Sequence, residues 1–224
     1  MPTCARCGQE SPQGFRFCGS CGAPLLDAEP SRETRRVVTI LFCDVTGSTA
    51  LGERLDPESL RRVMARYFEV AREVIEGHGG TVEKFIGDAV MAVFGVPVLH
   101  EDDALRAVRA AAELRERLAA LDDELDRDHG VTLTVRTGIN TGEVVAGTAE
   151  RLATGDAVVI AQRLEAAAPP GGILVGEPTY RLVRDAVEVE PAGTLELKGK
   201  AEPVAAYRLV SVRAGAPGTE RRLD

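Results

Sequence analysis

Residues 37–43 read VVTILFC, an unbroken apolar and β-branched run, and residues 44–49 behind them read DVTGST. A continuous run of this kind predicts a strand buried on both faces, with Asp44 where the strand stops. Further on, TVEKFI (81–86) and AVMAVFG (89–95) flank Gly87-Asp88, which reads as a two-residue hairpin turn. A helix is predicted between them. Asp56-Pro57 supplies an N-cap acid and a proline for the first helical position. Leu60, Val63/Met64, Tyr67/Phe68, Ala71 and Val74/Ile75 recur at helical spacing until Gly77, Gly79 and Gly80 stop them.

Beyond this unit a second long helix is predicted over 101–128. VTLTVRTGIN (131–140) and GEVVAG (142–147) read as two strands around Thr141-Gly142, and Asp156 reads as the cap of a helix, VVIAQRLEAAA. Pro169-Pro170-Gly171-Gly172 ends that helix. ILVG, a short helix at 177–184, and two late strand segments (VEVEPAGTLELKG and VAAYRLVSV) complete the pattern. The order βαββαβ predicts an α+β fold, a ferredoxin-like core with additional strands and helices. Residues 1–26 read as a separate small unit, 27–36 as a polar linker, 37–212 as the main domain, and 213–224 as a disordered tail or linker.

The formal net charge of −8 argues against nucleic acid as the partner, since a polyanion needs a basic footprint. Much of the excess falls in residues 101–128, where ten acids face five arginines as a solvated helix face. Lysine occurs only at Lys84, Lys198 and Lys200. No apolar run approaches the roughly 20 residues of a membrane span, and the N-terminus has no signal-peptide pattern. The expectation is a cytoplasmic chain with no membrane partner.

Four of the five cysteines crowd the first 21 residues as CARCG and CGSCG. Cys4, Cys7, Cys18 and Cys21 thus form two CxxC knuckles, with Gly8 and Gly22 allowing the tight turn beneath each pair of sulfurs. Four thiolates complete a tetrahedron around Zn2+ with no open position, a structural site in a zinc ribbon. The unit resembles the short zinc ribbons of bacterial N-termini. Cys43, beside Asp44, should point to the opposite face as a buried thiol. His78, His100 and His129 have no ligand spacing.

A strand–helix–strand unit in one sheet makes a right-handed crossover and leaves its strands parallel. Asp44 and Asp88 therefore end at one edge of the sheet, beside a loop (Val45, Gly47, Ser48, Thr49) whose backbone N–H groups can face phosphate oxygens. Paired carboxylates there have the layout of a two-metal phosphoryl or nucleotidyl transfer site. Lys84 adds a positive donor on the strand leading to Asp88.

At this point the chain resembles the class III adenylyl and guanylyl cyclases, over about Val37 to Val212. The carriers are LFCDVTGST, EKFIGDAVMAVFG, VRTGINTGEVVAG, TGDAVVIAQRLE and ELKGK. The resemblance implies a homodimer with composite sites, in which Asp44 and Asp88 hold two Mg2+ or Mn2+ ions. It makes Lys84 of the partner subunit the reader of adenine, Arg163 the stabiliser of the transition state, and Lys198 a holder of the triphosphate. ATP is the implied substrate, and cyclic AMP and pyrophosphate are the implied products. Three departures accompany it. Leu152 stands at the second base-reading position, Val159 replaces the transition-state asparagine, and the Gly147–Gly155 segment is short. These leave a rival reading, a degenerate cyclase-homology domain acting as a nucleotide-binding or dimerising regulatory module. The ending GTERRLD resembles the linker after which related bacterial proteins continue into a P-loop ATPase domain.

Overall fold

The computed structural model describes residues 3–4, 6–12, 15, 17–23, 34–146, 155–195 and 203–213. Its elements are β1 (Thr34–Val45), α1 (Ser48–Arg54), α2 (Pro57–Gly77), β2 (Thr81–Ile86), β3 (Ala89–Phe94) and α3 (Asp103–His129). They continue as β4 (Val135–Ala146), α4 (Asp156–Ala167), β5 (Ile173–Gly176), α5 (Glu177–Val183), β6 (Val187–Leu195) and β7 (Val204–Val212). All seven strands join one sheet in the order β2-β3-β1-β4-β5-β7-β6. Only the β4–β5 pair is parallel. The segment from β1 to β4, with α2 and α3, is the βαββαβ unit expected from the sequence, and β5, β6, β7 and α5 extend it.

The apolar run of β1 is continuous because both of its faces are covered. Val38, Ile40 and Phe42 pack with Met91, Val93 and Val144 under Ala157 and Ala161 of α4. Leu41, Cys43 and Val45 face the opposite way, into the core built by α2 and α3. On that side Val63, Tyr67, Val74 and Ile75 of α2 are buried in the predicted stripe. The start of α2 is capped as expected, with the Asp56 side chain accepting from the backbone N–H groups of Glu58 and Ser59.

One glycine sets how close α4 can come to the sheet. A Cβ built on Gly138 of β4 would lie 2.2 Å from the Ala161 carbonyl oxygen and 2.2 Å from the Glu165 nitrogen. Both are helix backbone atoms that cannot move aside without moving α4.

Several boundaries differ from expectation. β1 begins at Thr34, inside the segment read as linker, because β4 runs far enough to pair with it: Thr34 faces Ala146 and Val37 faces Glu143. The two strands expected around Thr141-Gly142 are one strand. Thr141 and Gly142 pair with Thr39 and Val38, and this continuous ladder overrides the local turn signal. β1 and β2 are parallel as argued, but β3 lies between them. Ser48 and Thr49 open helix α1 instead of forming a loop. Gly155, not Asp156, is the N-cap of α4, and Asp156 is its first helical residue. Arg213, assigned to the tail, donates its backbone N–H to the Ala186 carbonyl at 2.8 Å. Leu152, Lys198, Lys200, residues 24–33 and the tail after Arg213 lie outside the described residues. Among the described residues no helix is long and apolar enough to cross a membrane.

Gly138→Ala should lower unfolding stability by about 2 kcal/mol or more, as overpacking against backbone does. Gly52→Ala in α1, whose added Cβ would meet only Leu60 Cδ2 at 3.7 Å, should be neutral or mildly stabilising. Urea unfolding of both variants measures the contrast, and equal effects would show that the α4 contact is not tight.

Candidate active site

Two strand ends and one turn build the site. Asp44 is the penultimate residue of β1, and Asp88 follows Gly87 in the β2–β3 turn, where Gly87 takes a positive φ of 65°. The two carboxylates meet. Burial raises the Asp44 pKa first, Arg136 opposes that rise, and Asp88 adds to it through its charge and a shared hydrogen bond. The structure thus brings together the pair that the sequence placed at one sheet edge.

Arg136, which sequence reasoning did not single out, sits directly across from Asp44 in the β1–β4 ladder. Its Nη2 donates to Asp44 Oδ2 at 3.0 Å, and its Nη1 donates to the Ala166 carbonyl of α4 at 3.4 Å. Its Nε lies 2.9 Å from Glu165 Oε1. That approach is a charge contact without hydrogen-bond alignment, and neither atom has another hydrogen-bond partner. Glu165 is 7% exposed. Burial pushes its carboxyl up to about 7, Arg136 pulls it down, and the charges of Asp44 and Asp88 raise it further. A signal for both residues existed: an arginine inside the apolar strand run VTLTVRTGIN, and an acid directly after the core residue Leu164.

Behind Asp44 the strand end is anchored. The Tyr67 hydroxyl donates to the Cys43 carbonyl at 3.4 Å and approaches Cys43 Sγ at 3.6 Å. Burial pushes the Cys43 thiol up to about 11, so it is the inert buried thiol expected. Ahead of Asp44, Val45 is a core side chain and Gly47, at φ 75°, caps α1. Any phosphate contact here comes from backbone N–H groups and not from the Val45 side chain.

Lys84 owes its direction to a β-bulge. Val82 pairs with Ala92 but Lys84 pairs with Met91, which makes Glu83 an extra residue. Cross-strand partners share a face. Met91 belongs to the α4 side, so the bulge turns Lys84 to that side, away from the α2–α3 core. Lys84 is exposed on the edge strand, and Val159 and Arg163 are exposed one turn apart on α4. α4 packs over β4, β1 and β5, with Val159 and Arg163 on its exposed side. Val159 is 49% exposed and is therefore not an ordinary packing residue of this chain.

At the N-terminus the four sulfurs of Cys4, Cys7, Cys18 and Cys21 all lie within 4.8 Å of one another. Cys4 and Cys21 are 3.7 Å apart and Cys7 and Cys18 are 3.5 Å apart, near the ~3.8 Å edge of a tetrahedron with ~2.3 Å metal–sulfur bonds. Gly8 and Gly22 close the knuckles at φ 73° and 67°. Backbone N–H groups of Cys21 and Ser20 favour the Cys18 thiolate and draw its pKa down to about 6. His78 and His100 pair with Glu113 and Asp103 instead.

The raised Glu165 pKa has a definite sign in stability. The folded chain keeps this proton to about 7 whereas the unfolded chain loses it near the ordinary ~4.3. Stability from this group is therefore full below about 4.5, falls as pH climbs to about 7, and levels off above, by up to roughly 3 kcal/mol. Without added divalent cations, Glu165→Gln should melt higher than the parent at pH 8, with the gap shrinking at pH 5. Identical melting differences at both pH values would place Glu165 in the ordinary carboxylate range.

Comparison with known proteins agrees with this geometry. Residues 31–211 match the family described as the adenylate and guanylate cyclase catalytic domain. Adenylate cyclase 1 of Rhizobium meliloti (strain 1021) is 32% identical over 194 residues, 83% of this chain and 29% of that protein. The chain thus spans less than a third of that relative. The crystal structure of the adenylyl cyclase CyaB from P. aeruginosa superposes with a TM-score of 0.77 at 34% identity, covering 81% of this chain and 97% of the other. The guanylyl cyclase Cya2 gives 0.77 at 33% identity, covering 82% and 96%. The fold is therefore shared by enzymes of both base specificities. This chain belongs to the adenylate and guanylate cyclase catalytic domain family.

Proposed function

We propose that the chain is an adenylyl cyclase that converts ATP to cyclic AMP and pyrophosphate as a homodimer in the cytoplasm. The observation that carries this is the meeting of Asp44 and Asp88 at one sheet edge beside the Thr46-Gly47 turn. Two carboxylates that meet in this way form a hard oxygen donor set suited to Mg2+ or Mn2+. When bound there, such ions would lower the pKa of the ribose 3′-hydroxyl and neutralise the departing phosphates. In the reaction the 3′-oxygen attacks the α-phosphorus and loses its proton, and the bond to the bridging oxygen of pyrophosphate breaks.

The chain's own residues take the remaining roles. Lys84, turned outward by its bulge, offers an ammonium that donates to the adenine ring nitrogen but cannot accept the N–H groups of guanine. Arg163, exposed on α4, is free to reach an α-phosphate across a dimer interface and steady its developing charge. Lys198 would hold the triphosphate. Leu152 cannot make a second polar contact to the base, so selectivity for ATP over GTP is modest.

Val159 favours a second reading. Its half-exposed isopropyl group offers nothing to orient a ribose where an amide would, which suits a nucleotide-binding regulatory module. With Mn2+ and ATP, the purified chain should form cyclic AMP slowly, faster than cyclic GMP from GTP, and Asp44→Asn or Asp88→Asn should abolish this. Val159→Asn should raise the rate on the order of 10²-fold. A folded, dimeric protein silent both with and without Val159→Asn would establish the module instead, and equal use of GTP would remove Lys84 as the base reader.

We further propose that Cys4, Cys7, Cys18 and Cys21 bind one structural Zn2+, on the strength of the sulfur separations. Protein purified without chelator should contain about one zinc per chain by elemental analysis, and Cys18→Ser should release it. Metal-free protein with an intact, folded N-terminal unit would overturn the assignment.

A further inference from the structure

Arg136 presents a difficulty for any cation at Asp44. Its guanidinium already occupies Asp44 Oδ2 at 3.0 Å, one of the two oxygens that Asp44 could offer a cation. Displacing a guanidinium from its carboxylate normally leaves a poorly solvated positive charge without a counterion, and Arg136 is only 31% exposed. Here it has somewhere to stay. Two of its three contacts are on α4, the Glu165 carboxylate at Nε and the Ala166 carbonyl at Nη1.

The backbone of Glu165 is held in place by the strand beneath it. Its nitrogen and Cα would lie 2.2 and 2.9 Å from a Cβ on Gly138, two residues beyond Arg136 on the same strand. α4 is pressed against β4 at this point, so the Glu165 backbone cannot draw away from the strand that carries Arg136. The imperfect alignment of the Nε contact leaves that carboxylate with unused acceptor capacity.

We propose that Glu165 is a positioning residue of the catalytic site: it retains Arg136 on α4, so that Asp44 can pass from the guanidinium to a divalent cation. The proposal rests on the reading of Asp44 and Asp88 as cation ligands. With Glu165 present, a cation arriving at Asp44 removes one of Arg136's three contacts and leaves its charge balanced. Without it, the carboxylates left to the guanidinium are Asp44 and Asp88, the two that the cation would use, and Arg136 competes directly with the cation.

The test is a cycle of variants read by Mn2+ binding to the full chain without nucleotide, with free Mn2+ followed by electron paramagnetic resonance. Glu165→Gln should weaken binding roughly tenfold or more, in the range seen when a partner of a metal ligand is lost. Glu165→Asp, which keeps the charge on a shorter stem, should recover part of this. In an Arg136→Gln background, where nothing competes for Asp44, Glu165→Gln should have little further effect. A Glu165→Gln effect of equal size in both backgrounds, or none in either, overturns the proposal alone. Mn2+ that fails to bind the parent chain, or binds undiminished after Asp44→Asn, removes the cation reading and the proposal with it. A melting curve for each variant confirms that a folded protein is compared.

Discussion

Twelve consecutive residue pairs join β1 to β4, from Thr34 opposite Ala146 to Val45 opposite Val135. This antiparallel ladder is the constraint on which the rest depends. It holds the centre of the sheet, carries β3 and β2 on one side and β5, β7 and β6 on the other, and gives α2, α3 and α4 two flat faces to cover. It also fixes the chemistry, because the register that opposes Thr39 to Thr141 also opposes Asp44 to Arg136. A slip of one residue would send Arg136 to the wrong face and leave Asp44 without its partner.

The two faces of the sheet are used differently. The α2–α3 side is a large apolar core, and it holds the end of β1 still through Tyr67 and Cys43. The α4 side is thinner and works by close approach, with Gly138 leaving room for the backbone of α4 and Gly142 for the Ala157 methyl group. One helix thereby serves two directions. Its inner face brings Glu165 and the Ala166 carbonyl to Arg136, while its outer face presents Val159 and Arg163. In the proposed homodimer, that outer face belongs to the neighbouring site, so the placement of α4 bears on both.

Electrostatically the site is a tension between like charges. Asp44, Asp88 and Glu165 stand around one guanidinium, and burial raises the proton affinities of Asp44 and Glu165, with the neighbouring like charges adding to it. Structural ion pairs are usually balanced. An unbalanced cluster of carboxylates at the end of a rigid sheet suits the cation site proposed for it. The base specificity is a separate matter. An adenylyl and a guanylyl cyclase share this fold to the same degree, so the fold does not set the choice, and the proposal assigns it to the outward-turned Lys84.

The sequence alone determined the features that arise within a few residues of one another. The CxxC knuckles closed by Gly8 and Gly22, the Asp56 cap of α2, the Gly87-Asp88 turn and the doubly buried β1 run are local, since each is written in neighbouring side chains and short hydrogen bonds. It also placed Asp44 and Asp88 together, because crossover handedness is a general rule of chains and not a detail of this one. Local signals misled where long-range pairing was stronger: the Thr141-Gly142 turn dissolved into β4, and the strand start moved back to Thr34. Only the tertiary structure decided the bulge at Glu83 that aims Lys84, and only it joined Arg136 to Asp44 across 92 residues of chain. It likewise set Glu165 against that guanidinium through a glycine on another element. Such contacts follow from register and helix depth, quantities that every strand and every core side chain fixes jointly, and no single stretch of sequence encodes them.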